Sequence, residues 1–146
     1  MKQNVVEFLQ SKRIAVLGVS RTGKKFGNSV NTELKQRGVT TVIIHPEATE
    51  IDGQVCLPSI TAAKDQVDAV IINVKPPQAV DALKEAVANG ITKIWVQQGA
   101  ESPALFAAAK ELGVNPVTGK CIFMYAEPVA SIHGFHRFFA KLTGQY

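Results

Sequence analysis

Arg13-Ile-Ala-Val-Leu-Gly-Val-Ser20, followed by Arg21-Thr-Gly-Lys-Lys-Phe-Gly-Asn28, is the stretch on which the fold turns. Ile14 to Leu17 are apolar without alternation, the mark of a strand covered on both faces, as in a parallel sheet. The run breaks at Gly18, and a helical pattern resumes from about Ser29 to Arg37. A strand, a glycine turn and a helix in that order aim backbone N–H groups and the positive end of a helix at an anion. The loop is therefore expected to hold an anionic, nucleotide-like ligand.

Outward from this unit the same alternation recurs. A short helix with apolar Val5, Val6, Phe8 and Leu9 precedes it, with Asn4 as its cap. Strand two is expected over Thr40–His45, stopped by Pro46, and the helix before it ends at Gly38. Glu47 to Ser59 carries Asp52-Gly53 and Pro58, and is assigned as a loop with a tight turn over Ile51–Gln54. One helical turn over Thr61–Lys64 leads to strand three, Val67–Val74. Pro76-Pro77 then opens a helix that Asn89-Gly90 ends. Strand four is Ile91–Val96, and the next helix runs from Ser102-Pro103 to Leu112. Strand five is short, Val114–Val117, and a last helix is expected from Pro128 or Val129 to Leu142.

Repeated β-α units predict an α/β fold, a Rossmann-like three-layer α/β/α sandwich around a doubly wound, parallel five-stranded sheet. The expected strand order is 3-2-1-4-5, with ligand beyond the strand C-termini at the switch point beside strand one. The chain, residues 1–146, shows no linker, repeat or low-complexity tract and is assigned as a single domain.

Charge placement says more than the net charge of +4. Lys12, Arg13, Arg21, Lys24 and Lys25 surround the opening loop, and no acidic residue lies between Glu7 and Glu33. Such a field favours polyanionic small molecules. Nucleic acid is disfavoured, because no aromatics interleave with the loop cations and no nucleic-acid-binding motif is present. No apolar run approaches the roughly 20 residues of a membrane span, and the first ten residues lack a signal-peptide core. A cytoplasmic protein is expected. Cys56 and Cys121 lack C-x-x-C or zinc spacing and are assigned as free thiols.

Two common phosphate-loop motifs fit poorly. In Gly18-Val-Ser20-Arg-Thr-Gly23, serine replaces the middle glycine of G-x-G-x-x-G, and His45-Pro46 stands where an NAD site has a strand-two acid. NADP remains open, because a basic loop suits its extra phosphate. Gly18-Val-Ser-Arg-Thr-Gly23-Lys24 follows the P-loop until Lys25 replaces the Ser or Thr that binds magnesium.

A set of strings in order resembles the small stand-alone CoA-binding protein family, related to the CoA-binding domain of the succinyl-CoA synthetase alpha subunit. They are Ala15-Val-Leu-Gly-Val-Ser20, Ile44-His-Pro46, Ile51-Asp-Gly-Gln-Val-Cys56 with Pro58-Ser59, Val67-Asp68-Ala-Val70, Val74-Lys-Pro76 and Ile94-Trp-Val-Gln-Gln-Gly99. His45 departs from the family's usual asparagine, and the tail from Pro128 maps onto no shared motif. The resemblance implies coenzyme A or an acyl-CoA as the cofactor. It implies that Gly18, Val19 and Ser20 face the diphosphate, and that Arg21 and Lys24 or Lys25 pair with phosphates. It further implies Pro46 beside the adenosine, Val74, Lys75 and Pro76 on the adenine side, and Gln98 and Gly99 toward the pantetheine arm.

No catalytic group emerges. Ser20 lacks a nucleophile elbow and an assignable base. Cys121, after a glycine, weighs more as a half-buried thiol than as a reactive one, and Cys56 and Trp95 weigh as packing. His133 and His136 with Arg137 share a helical face without a third ligand, so no metal site is assigned. Phe135, Phe138, Phe139 and Leu142 suit a core or a dimer contact. The sequence thus predicts a CoA-binding module without assignable catalysis, with a homodimer or a partner enzyme left open. An NADP-dependent oxidoreductase and an ATP-type nucleotide-binding regulatory protein are the alternatives.

Overall fold

A computed structural model describes residues 2–124. The expected final helix, with His133, His136 and Arg137, lies outside the described residues.

The elements follow in the order α1 (Gln3–Leu9), β1 (Arg13–Leu17), α2 (Phe26–Gln36), β2 (Thr40–Ile44), β3 (Glu50–Ile51), β4 (Gln54–Leu57) and α3 (Ile60–Ala63). Next come β5 (Ala69–Ile72), α4 (Pro76–Ala88), β6 (Lys93–Gln97), α5 (Pro103–Leu112), β7 (Val117–Lys120) and a 3-10 turn over Ile122–Met124. They form one seven-stranded sheet, ordered β3-β4-β2-β1-β5-β6-β7. All neighbours pair in parallel except β3 and β4.

The fold class is the expected Rossmann-like three-layer sandwich, but the sheet differs from expectation in strand number and assignment. Val67–Val74, numbered as third, supplies β5, which pairs with β1 through Ile14↔Ala69 rather than with β2. The place outside β2 belongs to β4, within the stretch assigned as a loop, through Ile43↔Cys56. Asp52 and Gly53, at φ +50° and +80°, make the tight turn of a β3–β4 hairpin. With β4 counted third, the parallel strands run 3-2-1-4-5-6. Strands of two and four residues are too short for a period-two pattern to show, which is why the stretch resembles a loop. β7 also begins later than expected, at Val117, after Asn115-Pro116.

Alternation along the central strands splits the core. Ile14, Val16, Ala69, Ile71 and Trp95 face a cluster under α1 and α2 with Phe8, Val30 and Leu34. Ala15, Val70, Ile72, Ile94 and Val96 face α3, α4 and α5 through Leu83, Ala86 and Leu105. Burial on both faces explains the unbroken apolar runs. Trp95 is fully buried, stands 5.2 Å from the Phe8 ring, and donates its indole N–H to the Lys120 carbonyl at 3.2 Å. Asn4 lies inside α1, one residue past its start, where its Oδ1 accepts from the Val5 N–H at 2.9 Å. Its amide also donates to the carbonyls of Asn115 and Pro116, tying α1 to the approach to β7.

Candidate functional site

The chain leaves β1 toward β2 on one side and returns through α3 to β5 on the other. This reversal opens a crevice at the C-terminal ends of β1 and β5, where doubly wound folds place ligands. Gly18 and Asn73 are its floor. Gly18 has φ +88°, and a Cβ there would overlap the Asn73 carbonyl oxygen and lie 2.7 Å from Asn73 Cβ. Gly27, in the first turn of α2, is equally constrained: a Cβ would overlap the Gly18 carbonyl and approach Val19 N to 3.0 Å. Two glycines thus let the N-terminus of α2 rest directly on the Gly18–Val19 peptide. That contact explains why α2 starts at Phe26, earlier than its helical periodicity from about Ser29 suggests.

The loop between them is tied down internally. Asn28 donates its amide to the Ser20 carbonyl and accepts from the Ser20 N–H, both at 2.9 Å. Ser20 Oγ lies 2.8 Å from Thr22 Oγ1 and accepts from the Thr22 N–H, and the Gly23 N–H donates to the Ser20 carbonyl. The Ser20 N–H is therefore engaged by Asn28. N-terminal amides of α2 offer the better anion donors, since Lys25 makes no side-chain cap bond there. Across the crevice α4 begins with Pro76-Pro77, which have no N–H, so its first donor is Gln78.

Around this floor lies a cleft of about 700 Å³. Of the residues expected at the site, Gly18, Lys25, Val74, Lys75, Pro76, Gln98 and Gly99 line it. Val19 is buried beneath the loop, and Ser20, Arg21, Lys24 and Pro46 stand outside the lining. Arg21 pairs with Glu47, beside Pro46, at 3.8 Å, both side chains being well exposed. Asn73, Phe26, Gln78, Gln97 and Cys121 also line the cleft. Phe26, 45% exposed, meets Phe123 edge-on at 5.1 Å. Cys121 is a half-buried free thiol, as expected, but it faces the cleft. Nothing in the sequence around Phe26 or Asn73 marks them; a tertiary contact brings them to the site.

The far rim is set by hydrogen bonds. Glu101 accepts from the N–H groups of Gly99 and Gly119, at 2.8 and 3.2 Å, and so holds the β6 and β7 ends together. Gln97, buried, accepts from the Ile122 N–H. On the β2 side His45 Nδ1 accepts from the N–H groups of Glu47 and Ala48, at 3.1 and 2.9 Å. This fixes the tautomer protonated on Nε2, and gives the turn the acceptor an asparagine side chain would supply. Cys56 is remote from the cleft: burial first, and then the Glu50 charge, push its thiol up from the ordinary value.

A family model described as a CoA binding domain matches residues 12–127. The chain belongs to this CoA-binding domain family. YneT of Bacillus subtilis (strain 168) is 25% identical over 122 residues, covering 83% of this chain and 90% of that protein. Acetate–CoA ligase [ADP-forming] I of Archaeoglobus fulgidus is 26% identical over 136 residues, covering 86% of this chain but only 20% of the ligase. This CoA-binding domain therefore corresponds to about a fifth of that enzyme's length. Among solved structures, a conserved hypothetical protein from Pyrococcus furiosus superposes with a TM-score of 0.72 at 32% identity, covering 76% of this chain and 96% of that one. Among the described residues no helix is long and apolar enough to cross a membrane.

Proposed function

We propose that this chain binds coenzyme A, or an acyl-CoA, in the cleft between the β1 and β5 ends. The observation that carries the reading is the cleft itself. It lies at the switch point, against a helix N-terminus brought close by two glycines, with Lys25 and Lys75 on its lining. The diphosphate lies against Gly18 and the α2 amides, with Val19 and Ser20 shaping the loop from behind. Lys25 and Lys75 pair with its oxygens, a charge-assisted contact about twice as strong as a neutral one. Val74 and Pro76 offer apolar surface to the adenine side. Gln98 and Gly99, with Phe26 and Cys121, border the pantetheine arm.

Arg21 and Lys24 are assigned to the ribose 3′-phosphate at the rim, near Pro46. Arg21 would exchange Glu47 for the phosphate, at little cost for so exposed a pair. Asn73 Oδ1, buried in the floor without a hydrogen-bond partner, fits a ligand that brings a donor, which the amides of pantetheine possess. No reaction is assigned: the described cleft lining holds no carboxylate or histidine to form an acid–base pair.

Thermal unfolding with CoA, NADPH and ATP at equal concentration tests the reading. At a hundredfold excess over Kd, the true ligand stabilises by about 2.7 kcal/mol. CoA is expected to raise Tm most. A shift with NADPH or ATP and none with CoA would replace this reading by the oxidoreductase or the nucleotide-regulated one.

A further inference from the structure

At the other end of β1, α1 and α2 finish side by side and enclose a second cavity of about 230 Å³. Phe8, Leu9, Ile14, Leu34, Val39 and Ile122 make it mainly apolar, and no residue lines both this cavity and the cleft. Two polar atoms of its lining residues are out of place. Ser11 Oγ and Arg37 Nε are both buried without a hydrogen-bond partner. Ser11 is 5% exposed, and the Arg37 side chain 14%. Buried polar groups are almost always paired, so two orphans on residues that line one small cavity need an explanation.

The helix ends do not supply one. Gly38 N–H donates to the Lys35 carbonyl and Val39 N–H to the Leu34 carbonyl, closing α2 in a Schellman arrangement. Ser11 N–H closes α1 on the Phe8 carbonyl at 3.0 Å. Glu33 already holds Arg37 Nη2 at 3.2 Å, while Nε stays a buried donor without a partner. Lys12 adds a second cation, and no acidic side chain is among the described lining residues. What is missing is an acceptor, with negative charge and an apolar body.

We infer that this cavity binds a short aliphatic monocarboxylate, its oxygens accepting from Arg37 Nε–H and Ser11 O–H and its tail against Phe8, Ile14 and Leu34. A 150 Å³ apolar cavity holds benzene, so this one suits roughly nine non-hydrogen atoms, close to the size of hexanoate. The site does not depend on the CoA reading.

The test titrates the full-length protein with hexanoate, with and without saturating CoA, following heat and the Arg37 Nε–H resonance. Saturable binding that moves this resonance is expected, unchanged by CoA, with hexanol about tenfold weaker or worse. Ser11→Ala should weaken hexanoate by about tenfold. The same substitution should leave the Tm of the ligand-free protein unchanged or raised, because the lost hydroxyl is unpaired. The inference is overturned by equal affinity for hexanol, by an unmoved Nε–H resonance, or by no saturable binding at millimolar hexanoate. It is equally overturned if Ser11→Ala leaves hexanoate affinity intact or destabilises the ligand-free protein.

Discussion

Gly18 and Asn73 meet backbone to backbone, with no room for one more carbon between them. Gly23, five positions further along the same loop, has φ +74° but open space around it. The two separate conformational cost from crowding. Gly23→Ala should cost about 1 kcal/mol, the penalty of a left-handed non-glycine residue. Gly18→Ala adds overlap with β5 and should cost about 3 kcal/mol. Urea unfolding measures both, and similar losses would mean that the β1–β5 contact relaxes freely. Gly18→Ala should also weaken CoA beyond any loss seen at Gly23.

The cations divide by position. Lys25 and Lys75 line the cleft, while Arg21 and Lys24 stand outside its lining. Lys25→Ala and Lys75→Ala should each weaken CoA and dephospho-CoA alike, by about tenfold for a lost charge-assisted contact. Arg21→Ala with Lys24→Ala should weaken CoA more than dephospho-CoA. Equal losses of both ligands in the double variant would remove the rim cations from the 3′-phosphate, as calorimetric titration would show.

These positions also mark how far the sequence leads. Elements with strong local signals stand as expected. The Ile14–Leu17 run lies in a two-sided central strand, Pro76 starts α4, and Ser102 caps α5 by accepting from the Leu105 N–H. The hairpin at Glu50–Leu57 was hidden because its strands are too short to carry a period, although its Asp52-Gly53 turn was visible. The start of α2 was hidden for a different reason. Lys24-Lys25 and Gly27 have loop composition, and only the contact of Gly27 with Gly18 lets the helix begin at Phe26. Seven of the expected site residues line the cleft because they follow strand ends, which are legible. Asn73 after β5, Gln97 at the end of β6 and Phe26 at the start of α2 carry no local signal, because elements far apart in sequence bring them together.

The two cysteines should react in a fixed order. Cys121 faces the cleft half-buried, whereas Cys56 is 7% exposed with its thiol pushed up by burial. Since the thiolate is the reactive form, native protein should alkylate at Cys121 first and at Cys56 only on unfolding. CoA should slow the first reaction if the pantetheine arm passes Cys121. Mass analysis of limited alkylation reads both effects; CoA leaving the Cys121 rate unchanged would move the arm elsewhere.

Arg13 and Asp68 join the starts of β1 and β5, with Nη2 2.8 Å from Oδ1, and the Asp68 N–H donates to the Arg13 carbonyl at 2.8 Å. The hydrogen bond from the Arg13 side chain holds the Asp68 carboxyl below its ordinary value, against a smaller opposing effect of burial. A carboxylate depressed in the folded state binds its proton more readily when unfolded. Its contribution is therefore present above the unfolded value near pH 3.9, and is lost as pH falls through the lower folded value. Asp68→Asn keeps the shape and the backbone bond but removes the charge. Wild type should melt above the variant at pH 7, by a small margin because the pair is exposed. The gap should close as the pH is lowered below about 4. A gap independent of pH in paired melting curves would assign the difference to packing rather than to the ion pair.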